Sequence, residues 1–221
     1  MKNTLRISFI LLLVSFTMNA QGIEITPQYG YQINSKLNYN GGYLKVPGSG
    51  QYGITGSVNI GRGMAAEFSW TQQNSEIKIK DILFVPNQER NFGDVTINHY
   101  QFGAVQHFGN DDDLRPFFGV SAGWSTFNPD NNNYDPNDDN GGVSAYLNST
   151  STFTFGLSAG IKYMFTNHIG LRVQSNLLMP VYYGGYYGYG YGGYSKVVAM
   201  LNFSGGLIFA FGDRDTTTTF D

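Results

Sequence analysis

The last strand-like run of the chain, residues 195–211, constrains the fold more than any other stretch. From Val197 to Phe211 the odd positions are apolar or glycine, whereas most even positions are polar or small. Because side chains alternate between the two faces of a β-strand, this pattern predicts a strand with one apolar and one mixed face. The run is longer than ordinary globular strands, which have about five or six residues, and it suits a tilted strand crossing a bilayer.

Earlier runs alternate in the same way, at about 23–33, 51–60, 64–71, 98–108, 115–126, 151–165 and 169–179. The connections between them alternate in length. The long segments are 34–50, 80–93, 127–149 and 180–194, and the short turns are 61–63, 109–114 and 166–168. Outer-membrane barrels show this rhythm, with short periplasmic turns and longer extracellular loops. The sequence therefore predicts an all-β fold, an eight-stranded antiparallel up-and-down transmembrane β-barrel.

The second face of these strands separates a membrane barrel from a soluble β-sandwich, whose strands also alternate. This face is mostly Gly, Ser, Thr, Gln and Asn, and it lacks the abundant Lys and Glu expected on a face in contact with water. Small neutral polar side chains suit a narrow packed interior, with the apolar face turned toward lipid. Outer-membrane lipid is therefore an expected partner.

The first twenty residues have the pattern of a secretory signal peptide. Lys2 and Arg6 form a basic start, residues 7–16 are apolar, and Ala20 precedes the expected cleavage site. A membrane anchor is the alternative, but the apolar run is too short to span a bilayer comfortably. We expect residues 1–20 to be the signal peptide, 21–211 the barrel and 212–221 a short polar tail. The expected location is the bacterial outer membrane.

Composition and charge exclude several classes of function. The chain carries a net charge of −3 and no cysteine. Mild acidity argues against a nucleic-acid partner, which requires a basic surface. The absence of cysteine excludes thiol catalysis, disulfides and Cys-ligated zinc. Neither a cofactor nor an enzymatic activity is expected.

Aromatic residues on the apolar faces fall near the two ends of the predicted strands. Such girdles mark the two membrane interfaces of a barrel. The general strand propensity of aromatic residues explains their number but less well their position. The predicted girdle residues are Tyr31, Tyr52, Trp70, Tyr100 and Trp124 near the long loops, and Phe108, Tyr163 and Phe165 near the short turns.

Charged residues on the inward faces predict an ion cluster inside the barrel. Glu67 and Arg172 each lie three residues from a short-turn end, on strands expected to face each other across the lumen. Pairing through the 166–168 turn sets Lys162 beside Arg172, and two adjacent cations need a carboxylate. Glu67 or Glu24 can supply it. We expect a plug that closes the bore, and a gate that opens is the alternative.

The third long loop contains a weak calcium pattern. Asp135, Asn137 and Asp139 have the alternate spacing of an oxygen-ligand loop. Gly141 comes one position late, and Tyr146 stands where the closing Glu belongs. A solvated acidic loop is the alternative, and no metal site is assigned beyond these candidates.

Two further features raise binding or catalytic hypotheses. A hydrolase needs a Ser hydroxyl near a His that a carboxylate orients, and the placement of His99, His107 and His168 does not favour it. The Tyr/Gly-rich segment 182–194 offers exposed rings for a surface glycan or a protein partner. A low-complexity loop that covers the barrel mouth is the alternative.

Two stretches resemble the small eight-stranded outer-membrane barrel superfamily that includes the OmpA N-terminal domain and OmpW. Residues 115–124 resemble its Arg-Pro-aromatic fifth strand, and 156–172 resemble its next strand–turn–strand. The resemblance implies that Ser204, Gly206, Phe209 and Phe211 form the insertion signal read by the barrel assembly machinery. The tail after Phe211 departs from the usual pattern.

The expected function is a structural or surface-interaction role, with a plugged polar interior. Resemblance to OmpW implies an alternative, a narrow channel for small apolar molecules. A lipid-modifying outer-membrane enzyme is a third hypothesis, which the sequence favours least.

Overall fold

A computed structural model describes residues 22–39, 42–81, 89–108, 113–130, 149–184, 194–197 and 199–212. These residues form eleven β-strands. They are β1 (Ile23–Asn34), β2 (Leu37–Tyr39), β3 (Gly42–Lys45), β4 (Ser49–Gly61), β5 (Met64–Asp81), β6 (Arg90–His107), β7 (Leu114–Pro129), β8 (Thr150–Met164), β9 (Ile169–Gly184), β10 (Tyr194–Val197) and β11 (Met200–Phe211). The predicted signal peptide and all of the tail except Gly212 lie outside the described residues and stay predictions.

Eight of the strands close into a ring in the order β1, β4, β5, β6, β7, β8, β9 and β11. Every neighbouring pair in the ring is antiparallel. β1 and β11 close it, with Ile23 opposite Phe211 and Asn34 opposite Met200. The predicted eight-stranded up-and-down barrel is confirmed.

The two faces of the barrel wall have the polarity of a membrane protein. Large apolar side chains point outward and are exposed, for example Phe102 and Val173 at 56% each. Polar side chains point inward, where Gln32 and Gln73 are fully buried. In the part of the chain with described structure, no helix is long and apolar enough to span a membrane. Burial of neutral polar groups inside and exposure of apolar groups outside suit a wall in contact with lipid.

The predicted girdle residues lie on the outward face. Register places Trp70 opposite Tyr100, and Tyr100 opposite Trp124, so three rings form one band across adjacent strands. Trp124 is in turn opposite Phe153, which adds a fourth ring. The remaining predicted girdle residues are exposed as well, and these are Tyr31, Tyr52, Phe108, Tyr163 and Phe165.

The long-loop end of the barrel is more ordered than the sequence suggested. The segment 34–50, predicted as a loop, contains the hairpin β2–β3, and β3 pairs with β5 from Gly42 opposite Asp81 to Lys45 opposite Lys78. The predicted loop 80–93 is also shorter, because β5 reaches Asp81 and β6 begins at Arg90. Together these strands extend the barrel wall at its long-loop end. The inner face of this extension buries an apolar cluster of Val46, Ile77, Ile79, Val95 and Ile97.

The outer face of the extension carries one short polar chain of contacts. The Nζ of Lys36 lies 4.5 Å from the centre of the Tyr43 ring. The Tyr43 hydroxyl donates to a carboxylate oxygen of Glu89 at 2.8 Å. That hydrogen bond, with smaller contributions from burial and the Glu89 charge, raises the pKa of Tyr43.

The run 195–211 is two strands instead of one. β10 pairs only with β9, whereas β11 lies between β9 and β1. At the interruption, Ser35 N donates to the Ala199 carbonyl at 2.9 Å, and Ala199 N donates to the Ser35 hydroxyl at 3.0 Å. These two bonds hold Ala199 against Ser35, one residue beyond the Asn34–Met200 pair of the β1–β11 ladder. The apolar exceptions on the inward face, Met200, Ile208 and Ala210, are all buried.

Glycine flanks the turn between β4 and β5 because the backbone there has positive φ angles. Gly61, Arg62 and Gly63 all have positive φ, at 90°, 56° and 71°. Glycine adopts such angles without steric cost, and Arg62 is the non-glycine exception. The Asn59 side chain accepts a hydrogen bond from Gly61 N at 3.1 Å, which fixes the start of the turn.

Close packing of the wall at Gly123 gives a first prediction. A Cβ atom there would collide with the backbone oxygen of Tyr100 on β6, whereas a Cβ at Gly56 would meet nothing within 4 Å. We expect Gly123→Ala to lower the free energy of unfolding by about 1–3 kcal/mol, because β6 and β7 must separate. Gly56→Ala, the matched control, should be neutral or slightly stabilising. Urea unfolding in detergent micelles measures both, and equal effects would contradict the assignment.

Candidate functional site in the barrel interior

Four charged side chains meet in the lumen near the short-turn end. Glu67 on β5 and Arg172 on β9 belong to strands on opposite sides of the ring. Arg172 donates from Nη1 to Glu67 Oε1 at 2.6 Å and from Nη2 to Oε2 at 2.9 Å. This two-bond geometry is the strong form of an arginine–carboxylate pair. The pair therefore spans the lumen.

Lys162 and Glu24 complete this ion layer, as we call the set Glu24, Glu67, Lys162 and Arg172. Lys162 Nζ lies 2.6 Å from Glu24 Oε2 and 3.7 Å from Glu67 Oε1. Lys162 is also directly opposite Arg172 in the β8–β9 register. Glu24 and Glu67 together therefore balance the two adjacent cations. From the sequence alone, either carboxylate could have been the partner.

Neutral side chains hold the ion layer in place. Ser57 donates to Glu67 Oε1 at 2.7 Å, and Arg172 Nε donates to Gln174 Oε1 at 2.5 Å. The Phe117 ring lies 4.4 Å from the Arg172 guanidinium carbon, within the range of a cation–π contact. Sequence reasoning missed these supports. Ser57 is opposite Glu67 in register, and Phe117 lies on the inward-facing parity of β7, so strand pairing and alternation could have found both.

The ion layer rests on apolar side chains toward the short turns. Ala65, Val105 and Phe117 form one buried cluster, and Met164, Ile208 and Ala210 form another. Lys162 is 1% exposed and Arg172 2% exposed, so both cations are removed from water. Burying a charge is costly unless it is paired and hydrogen-bonded, as both of these are.

The histidines lie at three separate places. His99 is buried, and its Nδ1 lies 2.6 Å from the Ser125 hydroxyl, a serine that sequence reasoning had not found near it. The other ring nitrogen lies 3.3 Å from the side-chain nitrogen of Gln32, where a hydrolase would place a carboxylate. His107 Nδ1 lies 3.0 Å from the Gly63 carbonyl, and His168 is exposed in a turn.

Ser125 belongs to a hydroxyl chain that continues to Thr154, at 2.6 Å between the two side-chain oxygens. Both hydroxyls are fully buried. A nucleophile must be reachable by its substrate, so this pair has the geometry of an interior hydrogen-bond network. The contact between His99 and Ser125 could have been found from the sequence, because the two residues are opposite each other in the β6–β7 register.

Two other predicted sites lie wholly or partly outside the described residues. The calcium candidates Asp135, Asn137 and Asp139 lie outside the described residues. Among the described residues, no three His, Asp or Glu side chains form a group that could hold a metal ion. The centre of the Tyr/Gly segment, residues 185–193, is also outside them.

The predicted insertion-signal residues all lie on β11. Ser204 is buried on the inward face, and Gly206 lies opposite Gln28 of β1. Phe209 and Phe211 point outward at the short-turn end, where they are 40% and 55% exposed.

Comparison with known proteins agrees with this architecture. Residues 8–178 match the family described as outer membrane protein beta-barrel domain. No curated protein sequence matches the chain significantly.

Solved structures with a similar fold include OprG of Pseudomonas aeruginosa, with 13% identity, a TM-score of 0.60 and coverage of 87% of this chain and 97% of that one. Neisserial surface protein A has 12% identity, a TM-score of 0.54 and coverage of 87% and 98%. Outer membrane protein W of E. coli has 14% identity, a TM-score of 0.51 and coverage of 87% and 98%. At these identities the likeness establishes the fold.

Proposed function

Because this chain belongs to the outer membrane protein beta-barrel domain family, we propose that it is a closed, non-catalytic barrel of the bacterial outer membrane. Its role is to support the membrane and to present its long loops to surface ligands. The observation that carries the proposal is the ion layer, in which Arg172 and Glu67 join opposite walls of the lumen.

The arrangement of the ion layer argues against free passage of ions. Eight strands enclose an interior just wide enough for side chains. A hydrated ion could pass only by displacing the two-bond Arg172–Glu67 pair and the Lys162–Glu24 pair, which lies at 2.6 Å. Buried pairs are costly to break, because each separated partner is left as an uncompensated charge. The closed state is therefore the stable one.

Conductance in planar bilayers tests this closure. We expect the wild-type protein to show almost no steady current. Glu67→Ala combined with Arg172→Ala removes the central pair yet keeps the net charge, and this variant should show discrete current steps. Lys78→Ala, on a half-exposed side chain outside the lumen, is the control and should stay silent. Steady wild-type conductance, or a silent double variant, would contradict the proposal.

A second candidate, a narrow path for small apolar molecules, is favoured by one observation. At the extracellular end the inward face changes from polar to apolar, with Ile77, Ile79, Val95 and Ile97 buried together. Such a lining suits an apolar solute better than an ion. If wild-type protein in vesicles admits an apolar dye while remaining silent to ions, and Ile97→Asn abolishes that entry, this candidate replaces the first.

The proposed partners follow from the same geometry. The outward apolar wall between the two aromatic bands is the surface for outer-membrane lipid. Phe209 and Phe211 are proposed contacts for the barrel assembly machinery during insertion. The extracellular loops are proposed to meet a surface glycan or protein.

A further inference from the structure

Six neutral polar side chains form a grid on the outer surface of β5, β6 and β7. They lie directly beyond the aromatic band of Trp70, Tyr100 and Trp124, on the side of the long loops. All six point outward and are exposed or half-buried. The first row is Gln72, Asn98 and Thr126, and the second row is Asn74, Thr96 and Asn128. We call these six residues the polar grid.

The polar grid lies at the height of lipid headgroups. Gln72 and Asn74 are two and four residues beyond Trp70 on β5. With a rise of about 3.3 Å per residue and a strand tilt of about 40°, the two rows lie about 5 Å and about 10 Å above the aromatic band. Trp and Tyr rings mark the boundary between acyl chains and headgroups. A lipid against this wall therefore places its chains below the band and its headgroup on the grid.

On the other side of the barrel the equivalent wall is apolar. Tyr31 on β1 is a girdle residue there, and the outward residues one step beyond its row are Ile33, Leu201 and Leu177. Ile33 and Leu201 are exposed. Contact with headgroups in general would favour polar residues on every side. The one-sided grid therefore indicates a particular ligand.

Hydrogen bonds within the wall orient the amides of the polar grid. Asn98 Oδ1 accepts from Trp70 Nε1 at 3.3 Å. Asn74 Oδ1 accepts from Gln72 Nε2 and from the Thr96 hydroxyl, each at 3.3 Å. Neither Asn74 Nδ2 nor Asn98 Nδ2 donates to another residue in the described part of the chain. Both amides thus present N–H donors to a ligand, and their orientation is fixed before it binds.

Charges near the polar grid favour an uncharged headgroup. The next outward row places Glu76 opposite Asp94. Lys78 lies 3.3 Å from Glu76, whereas Asp94 has no ion pair with another described residue. A phosphate on the grid would therefore lie beside a carboxylate, and like charges that close are unfavourable. A sugar suits the site better, because its oxygens can accept from the two asparagines and its ring can pack on the exposed rings of Tyr100 and Trp124.

We propose that the polar grid and the aromatic band together bind the uncharged sugar headgroup of a glycolipid in the outer leaflet. This inference rests on the proposed location in the outer membrane, and it specifies the surface glycan proposed as a partner. A glycolipid uses both surfaces, because its acyl chains lie along the apolar wall while its sugar lies on the grid. A soluble glycan would leave the apolar wall unused. The site therefore selects a sugar that is anchored in the same membrane.

The two tryptophans of the chain report on this site directly. The sequence contains only Trp70 and Trp124, and both belong to the aromatic band. The full-length barrel is placed in phosphatidylcholine nanodiscs with a rising fraction of dephosphorylated lipid A, an acylated glucosamine disaccharide without charge. We expect the tryptophan emission to change and then saturate, and native mass spectrometry to show one tightly bound glycolipid per barrel. Phosphatidylglycerol or soluble di-N-acetylchitobiose in its place should produce no saturable change.

Asparagine substitutions give the matched test. Asn74→Ala leaves the bond between Trp70 and Asn98 intact, so the reporter is unchanged. The glycolipid fraction at half-saturation should rise about threefold or more for Asn74→Ala and for Asn98→Ala, and about tenfold for the two together. Asn38→Ala, at an exposed asparagine on β2 outside the grid, is the control and should bind like the wild type.

The proposal is overturned by an emission change that grows without saturating, or by an equal response to phosphatidylglycerol or to the soluble disaccharide. It is also overturned if the Asn74→Ala and Asn98→Ala variants bind like the wild type. If Asn98→Ala fails to fold, Asn74→Ala alone decides. These outcomes are independent of the current measurements. A silent barrel without a saturable glycolipid signal would overturn this inference and leave the closure of the lumen standing.

Discussion

Replacing Arg172 with Ala is expected to lower the free energy of unfolding by about 3–5 kcal/mol, the cost of removing one partner of a buried ion pair. The substitution deletes two hydrogen bonds to Glu67 and one to Gln174. It leaves Glu24 and Glu67 facing Lys162 alone, so the ion layer changes from neutral to net negative inside the barrel. Reversible urea unfolding in detergent micelles is the measurement.

Two comparisons show whether burial is the cause. Glu76 and Lys78 form a partly exposed pair at 3.3 Å, and Lys78→Ala should cost less than about 1 kcal/mol. Glu67→Leu combined with Arg172→Met keeps the layer neutral and fills the space with apolar atoms. This double variant should lose much less stability than Arg172→Ala, because no charge is left unpaired. If it loses as much, shape at these positions matters more than charge pairing.

The barrel and its ion layer could be predicted, because both follow from the position of each residue along its strand. Alternation assigns a residue to the inner or outer face, and distance from a short turn gives its depth in the wall. Glu67 and Arg172 share face and depth, and the structure joins them at 2.6 Å. The bands formed by Trp70, Tyr100 and Trp124 follow from the same count.

The hairpin β2–β3 could not be predicted, because its short strands lie in a segment rich in Gly, Asn and Ser, which indicates a loop. The end of β5 keeps the strand pattern, since Lys78 and Lys80 alternate with Ile77 and Ile79. What stabilises this strand is its pairing with β3, far away in sequence, and the apolar cluster beneath it. Distances within the site, such as that from Phe117 to Arg172, depend likewise on tertiary packing.

The outward position of Phe209 and Phe211 leads to the second large expected effect. Replacing both with Ala should leave most of the protein uninserted in cells, because the two rings form the aromatic end of the proposed insertion signal. Their loss also removes apolar contact with the membrane interface, since aromatic rings favour that region. Resistance of the barrel to protease in isolated outer membranes measures the inserted fraction.

A loss of stability alone would give a similar result, and Tyr163 and Phe165 provide the control. These two rings are exposed and pack edge-to-face at 5.3 Å. They lie on β8 and the adjoining turn, at the same short-turn end of the barrel as Phe209 and Phe211. Replacing both with Ala removes as many rings but leaves β11 intact. Refolding into detergent, without the assembly machinery, should be similar for the two double variants, whereas insertion in cells should fail only for Phe209→Ala with Phe211→Ala. If both variants fail equally in cells, the rings act through interfacial burial and β11 carries no separate signal.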